Sequence, residues 1–97
     1  MAFQDIIDEM VSLHDKKRKD YGKDTDPYAN IRAGSQFIGV PDVVGCLMRM
    51  NDKMFRLSAW CHGSTMVNES VEDSLMDLAV YAIIALDLIR EQNNGRN

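Results

Sequence analysis

The segment NESVEDSLMDLAVYAIIALDLI, residues 68–89, decides the fold, because it has the apolar periodicity of one long helix. On a wheel of about 100° per residue, one side of this helix carries apolar residues along its whole length. We predict that this side forms the intramolecular core. Its members are Val71, Leu75, Leu78, Ala82, Leu86 and Ile89.

The opposite side of the same helix changes character along its length. It begins with an acidic row at four-residue steps and continues into apolar positions. The acidic row is Glu69, Asp73 and Asp77, and the apolar positions are Val80, Tyr81 and Ile84. One small chain can hardly cover both sides of the helix, so we expect a second subunit to cover the side with Val80 and Ile84.

The rest of the chain also predicts helices, and no stretch shows the alternation of a strand. A first helix is expected over residues 3–19. A short one starts at Asp26-Pro27, and a second long one starts at Pro41-Asp42 and reaches about His62. The last helix is capped by Asn68 or Ser70 and ends near Asn94-Gly95. The prediction is an all-α single domain, residues 1–97, with three long helices, a short one and residues 90–97 as a frayed tail.

Composition and charge exclude several classes of protein. A hydrophobic content of 45% with 27% charged residues is ordinary for a folded chain. The net charge of −4 argues against a general binder of long nucleic acid. The N-terminus MAFQDIIDEM lacks the basic and apolar parts of a signal peptide, and no apolar run is long enough to cross a membrane. We therefore expect a cytoplasmic protein without membrane contact.

Asp77 is the acid that needs an explanation. Acids in a first helical turn interact favourably with the helix dipole, which accounts for Glu69 and Glu72, and Asp73 could complete a capping box with Ser70. Asp77 lies about two turns into the helix, where this effect has faded. A cation should therefore compensate it: either Mg²⁺, which prefers carboxylate oxygens, or a basic side chain of the same fold.

The preceding helix carries a charged stripe that could meet the acidic row. The stripe consists of Arg49, Asp52, Lys53 and Arg56, which recur at three- and four-residue steps. Its basic residues could form ion pairs with the acids, or they could bind phosphate, for which Arg offers two parallel donors and Lys a point charge. The two interpretations are compatible in a nucleotide site.

A basic cluster and an irregular connection lie upstream. Lys16 and Lys19 belong to the run KKRK, which suits the end of a helix and could also gather an anionic ligand. The connection after it carries Tyr21, Tyr28 and Asn30, which are candidates for contact with a base.

Three segments together resemble the nucleotide-modification-associated domain 1 family, which is common in phages. They are KRKDYG, GCLMRMNDKMFRLSAW and NESVEDSLMDLAVYAII, and the resemblance spans residues 16 to 91. That family is related to the MazG-like all-α nucleoside triphosphate pyrophosphohydrolases. The most specific parts are Asp52, Lys53 and Arg56 in one helix, and the row from Glu69 to Tyr81 in the next.

The resemblance implies a MazG-like helical bundle completed by oligomerisation, as a dimer or a larger homo-oligomer, in the cytoplasm of a phage host. It implies a nucleotide and Mg²⁺ in a groove between helices, and hydrolysis of a nucleoside triphosphate to the monophosphate and pyrophosphate. The catalytic residues would be Glu69, Asp73 and Asp77. The metal ligands would be Glu69, Asp73, Asp77 and Asp52; the phosphate ligands Lys53, Arg56, Arg49, Lys16 and Lys19; and the base contacts Tyr21, Tyr28, Asn30 and Tyr81.

The chain departs from the pyrophosphohydrolases in its acids. They carry Glu-x-x-Glu on one helix and Glu-x-x-Asp on the next. Here Asp52 stands alone on the first helix, and Ser74 holds the three-residue position before Asp77. A protein that binds a nucleotide or a cyclic-nucleotide signal without cleaving it is therefore the alternative. A purely structural set of ion pairs is the third interpretation.

Overall fold

Four α-helices form the part of the fold that the structure describes. The computed structural model describes residues 2–21, 26, 28–67 and 69–95, with side chains for all of these except residues 17–21 and 95. The helices are α1 (Ala2–Tyr21), α2 (Ala29–Ile38), α3 (Asp42–Cys61) and α4 (Val71–Gly95). The prediction of an all-α chain with three long helices and a short one is confirmed.

The helix ends follow the local sequence signals. The hydroxyl of Ser70 accepts a hydrogen bond from the backbone N–H of Asp73 at 3.0 Å, so Ser70 caps α4, while Asn68 lies outside the described residues. Gly39 ends α2 with a left-handed φ of 84°, which glycine adopts without strain. Residues 90–95, which we expected to belong to a frayed tail, continue α4 to Gly95.

The core lies where α2, α3 and α4 meet. Cys46, near the start of α3, donates from its thiol to the carbonyl of Tyr81 in α4 at 3.3 Å. Lys53, later in α3, meets Asp77, which is earlier in α4. The two helices are therefore antiparallel. The buried cluster consists of Ile31, Cys46, Ile84, Ala85 and Leu88, with Tyr28, Val43, Val80 and Tyr81 packed against it.

A close approach between α2 and α3 fixes how they pack. Gly45 of α3 lies against Ser35 of α2, and both are buried. A Cβ on Gly45 would lie 1.9 Å from the Ser35 hydroxyl oxygen, so a larger residue does not fit. Ser35 is itself held in place because its hydroxyl donates to the carbonyl of Ile31 at 2.8 Å.

The prediction of which side of α4 faces the core is wrong. The buried side carries Ile84 and Leu88, which are 6% and 5% exposed. Leu75 and Leu86, which we assigned to the core, are 51% and 47% exposed. The side with Ser74 and Asp77 can be buried because these polar groups find partners within the chain, Ser74 in Glu69 and Asp77 in Lys53. Val80 and Ile84 are accordingly covered by the chain itself, and the uncovered side is the one that lacks charges.

The first helix is loosely attached. Its main contact is with α4, and this contact is small. Its apolar residues remain largely uncovered, with Phe3, Ile6 and Val11 more than half exposed. Across the described residues, no helix is both long enough and apolar enough to span a membrane.

Candidate functional site

The ammonium group of Lys53 is the centre of the candidate site. It lies 2.8 Å from Oε1 of Glu69 and 3.1 Å from Oδ2 of Asp77. All three side chains are at most 20% exposed. Two of the predicted acids and one of the predicted bases therefore converge on a single point between α3 and α4. We call these three residues the Lys53 triad.

The position of Glu69 depends on Ser74. Glu69 lies two residues before α4 begins, and its Oε2 accepts a hydrogen bond from the Ser74 hydroxyl. Ser74 is fully buried on the core side of α4. Each oxygen of the Glu69 carboxylate therefore has a donor. Sequence reasoning treated Ser74 only as a departure from a metal motif. Its position five residues after Glu69, on the side of Asp77, was the available signal for this contact.

The triad shifts the pKa of two of its members towards the charged forms. Burial works against the charge of Lys53, but its hydrogen bonds with Glu69 and Asp77 outweigh burial and raise the pKa of the ammonium group. Burial likewise opposes the charge of Glu69, but the donors Lys53 and Ser74 lower the pKa of its carboxyl. Lys53 therefore stays protonated at neutral pH and acts as a fixed cation rather than as a general base.

Two arginines flank Lys53 along the stripe. Arg49 and Arg56 lie four residues before it and three residues after it on α3, so they share its side of the helix. Arg49 is half-buried, with its guanidinium beside Gly34 of α2, and Arg56 is exposed. Within the described part of the chain, neither guanidinium pairs with a carboxylate. Their donors are available to an anion.

The four predicted magnesium ligands do not form one cluster. Glu69 and Asp77 converge, but on Lys53, whereas Asp52 and Asp73 are exposed. No three His, Cys, Asp or Glu side chains among the described residues are placed to hold a metal ion. The residues present therefore fit a magnesium site only in part, and the metal remains a prediction.

The predicted base contacts are spread over the fold. The hydroxyl of Tyr28 donates to Asp87 at 2.5 Å, the ring of Tyr81 packs against the core, and Asn30 is exposed on α2. Lys16 is exposed on α1. The side chains of Lys19 and Tyr21 lie outside the described residues. The structure thus brings Lys53, Glu69 and Asp77 together, and it leaves Tyr28 engaged near the far end of α4.

A second polar cluster surrounds Arg32, for which the sequence suggested no role. Its guanidinium binds the carboxylates of Asp26 at 2.7 Å, Asp42 at 2.8 Å and Glu91 at 3.1 Å. Burial opposes the charge of Arg32, and the hydrogen bonds to Asp42 and Glu91 raise its pKa nonetheless. A pocket of about 310 Å³ lies beside it, lined in part by Pro41 and Leu88. This cluster ties α2 and the start of α3 to the end of α4.

No protein family, functionally characterised protein or solved structure matches this chain. The case for the candidate site therefore rests on its geometry and on its residues.

Proposed function

We propose that this chain binds a nucleotide on the charged side of the α3–α4 pair. The phosphates would lie along Arg49, Lys53 and Arg56. The observation that supports this best is the contrast within the stripe. Lys53 is held by two carboxylates, while the arginines on either side of it have no carboxylate partner among the described residues. A fixed cation between two available guanidinium groups is a favourable arrangement for a polyphosphate.

The proposed reaction is hydrolysis of a (d)NTP to the monophosphate and pyrophosphate, as the family resemblance implies. It would depend on Mg²⁺, which neutralises phosphate charge and lowers the pKa of a bound water. Glu69 and Asp77 are the carboxylates best placed to hold the ion, and Asp73 and Asp52 would have to join them. The described residues fit this ion only in part, since Lys53 occupies the point on which Glu69 and Asp77 converge.

Binding without cleavage is the second candidate, and the Lys53 triad favours it. The point on which Glu69 and Asp77 converge is filled by an ammonium group of the same chain. A nucleotide could then bind through the arginines while no divalent ion enters. The protein would act as a small factor that sequesters a nucleotide or a cyclic-nucleotide signal.

The proposal includes self-association in the cytoplasm, which for a phage protein is that of its host. The exposed apolar residues of α3 and α4 support self-association. The negative net charge supports a small ligand rather than long nucleic acid as the partner.

The test measures binding and turnover on the same protein. Calorimetric titration with a panel of dNTPs and cyclic dinucleotides, with and without Mg²⁺, gives binding. Release of pyrophosphate gives turnover. Turnover that is lost in Asp77→Asn and kept in Asp15→Asn, an exposed acid of α1, supports the enzyme. Binding without turnover supports sequestration. If neither appears, the proposal fails and the triad has a structural role alone.

A further inference from the structure

The outward side of α4 carries a continuous apolar surface without charges over four turns. It consists of Leu75, Ala79, Ala82, Leu86 and Ile89, and all five are exposed. They recur at alternating four- and three-residue steps, which is the spacing of a coiled-coil seam. Ile83, 54% exposed, widens this surface on one side. We call these residues the α4 seam.

The chain has more surface than a compact monomer of its size. Its accessible area is 7254 Å², whereas a monomer of 11.0 kDa is expected to expose about 5,600 Å². Part of the excess belongs to the loosely attached α1. The whole excess is about twice the roughly 800 Å² per partner that a stable interface of standard size buries. A second copy of the chain would cover the seam with an interface of ordinary dimensions.

The order of large and small residues in the seam selects a register. If two α4 helices run antiparallel with their two-fold axis between residues 80 and 81, Leu75 lies opposite Leu86 of the second copy. Ala79 then lies opposite Ala82. The alanines fall at the centre, where they allow the helices to approach closely, and the leucines fill the layers on either side.

The charges at the ends of the seam favour the same orientation. Glu72 and Arg90 bound the seam at its two ends, and both are exposed. In the antiparallel register, Glu72 comes level with Ile89 and Arg90 of the second copy, so opposite charges meet at both ends. In a parallel pair, Glu72, which continues the spacing of the seam, would lie level with Glu72 of the second copy, which is unfavourable.

We propose that the protein is a dimer in which the α4 seams of two copies pack antiparallel in this register. The dimer rests on the proposed self-association and specifies the surface that carries it. It leaves the nucleotide site accessible. Asp77 lies on the inward side of α4, where it meets Lys53 of α3 away from the seam, so each protomer keeps its own Lys53 triad. Dimerisation and nucleotide binding can therefore be tested separately.

Cross-linking tests the seam and its direction. In a background without the exposed thiol, Cys61→Ser, the pair Leu75→Cys with Leu86→Cys is oxidised. The two positions are about 16 Å apart within one helix, which is too far for a bond within the chain. We expect the double variant to form a covalent dimer and each single variant to form none. A dimer linked through Leu75→Cys alone would show a parallel pair and overturn the proposal.

A charge placed in the seam tests whether this side of α4 is the interface. Ala82→Glu should raise the dissociation constant of the dimer roughly 100-fold or more, because two carboxylates would be buried at its centre. The matched control is Asn51→Glu, at an exposed position among the apolar residues of the outer side of α3. It should leave the protein dimeric, as judged by its mass in solution. Wild-type protein that sediments as a monomer, or an assembly broken by Asn51→Glu and not by Ala82→Glu, would overturn the proposal. Nucleotide titration of the Ala82→Glu monomer reports the proposed function independently.

Discussion

Lys53 places its ammonium group 3.1 Å from the carboxylate of Asp77, so the acid that lies two turns into α4 is compensated within its own chain. The expectation that Asp77 needs a cation is confirmed, and a basic side chain of the fold provides one. The same ammonium group also holds Glu69, which makes it the point through which α3 fixes the start of α4.

Removing the cation should destabilise the fold. In Lys53→Met, two partly buried carboxylates lose their shared partner, and we expect the free energy of unfolding to fall by roughly 2 kcal/mol. Urea unfolding measures this loss. Arg56→Met removes an exposed cation from the same helix and should change stability by no more than about 0.5 kcal/mol. Equal effects of the two substitutions would contradict a structural role for the triad.

Acid should weaken the protein through Glu69. Its pKa is lower in the folded chain than the ordinary value of 4.5, so the unfolded chain binds the proton more readily. The stabilising contribution is complete above the ordinary value and is lost as the pH falls through the folded value. We expect Glu69→Gln to flatten the fall of unfolding free energy in that window, and Ser74→Ala, which removes one donor, to flatten it less. If the free energy of unfolding falls with pH as steeply in Glu69→Gln as in the wild type, Glu69 is not the cause of the acid sensitivity.

The close approach of α2 and α3 gives a prediction with an internal control. Gly45→Ala would place a Cβ 2.9 Å from the Ser35 Cβ and even closer to its hydroxyl. We expect a loss of about 2 to 3 kcal/mol from the shifts this forces. Gly34→Ala meets only the tip of Arg49, at 3.4 Å, and gains helix propensity, so it should be neutral or stabilising by up to about 1 kcal/mol. Thermal unfolding measures the stability of both variants, and equal effects of the two substitutions would contradict the close approach at Gly45.

A compensating change tests the cause of that loss. Ser35→Gly removes the two atoms closest to the new Cβ of Gly45→Ala, the hydroxyl oxygen and the Cβ of Ser35. The double variant should therefore recover part of the stability lost in Gly45→Ala. If the double variant loses more stability than the two single variants lose together, close packing at this point is not the reason for the loss in Gly45→Ala.

Arg32 should contribute through its three carboxylates. Replacing it by Gln leaves Asp26, Asp42 and Glu91 to repel one another, and we expect a loss of roughly 1 to 2 kcal/mol that shrinks at high salt. Arg32→Lys keeps the charge without the planar fork and should lose about half as much. Chemical unfolding at two salt concentrations measures both effects, and a loss independent of salt would contradict the electrostatic explanation.

Phosphate binding can be tested on Arg56, which has no carboxylate partner within the part of the chain that the structure describes. Arg56→Ala should weaken nucleotide affinity about tenfold while leaving stability unchanged, since a charge-assisted hydrogen bond contributes about 1.5 kcal/mol or more. Arg56→Lys should restore part of the affinity. Calorimetric titration gives both values, and wild-type affinity in Arg56→Ala would remove this residue from the site.

The sequence predicted where the helices lie in the chain better than it predicted which side of a helix faces the core. Helix limits followed from Pro41-Asp42, Ser70 and Asn94-Gly95, because these signals act locally. The inward side of α4 was misassigned because an unbroken apolar row, such as Leu75 to Ile89, is usually core. Ser74 and Asp77 made the true inward side look polar. Asp77 pairs with Lys53 of α3, and Ser74 donates to Glu69, which precedes α4. The spacing of residues along α4 does not show such hydrogen-bond partners.

The antiparallel contact between α3 and α4 has a consequence for the order in which the chain folds. These helices are joined by residues 62–70 and share the largest contact of the fold, so their pairing gains the most contact for a modest loss of chain entropy. We expect a helical hairpin of residues 42–95 to form in the rate-limiting step, with α2 locking onto it afterwards and α1 docking last. Amide hydrogens around Cys46 and Ala85 should then exchange with solvent most slowly, and those of α1 should exchange through local opening long before the whole molecule unfolds.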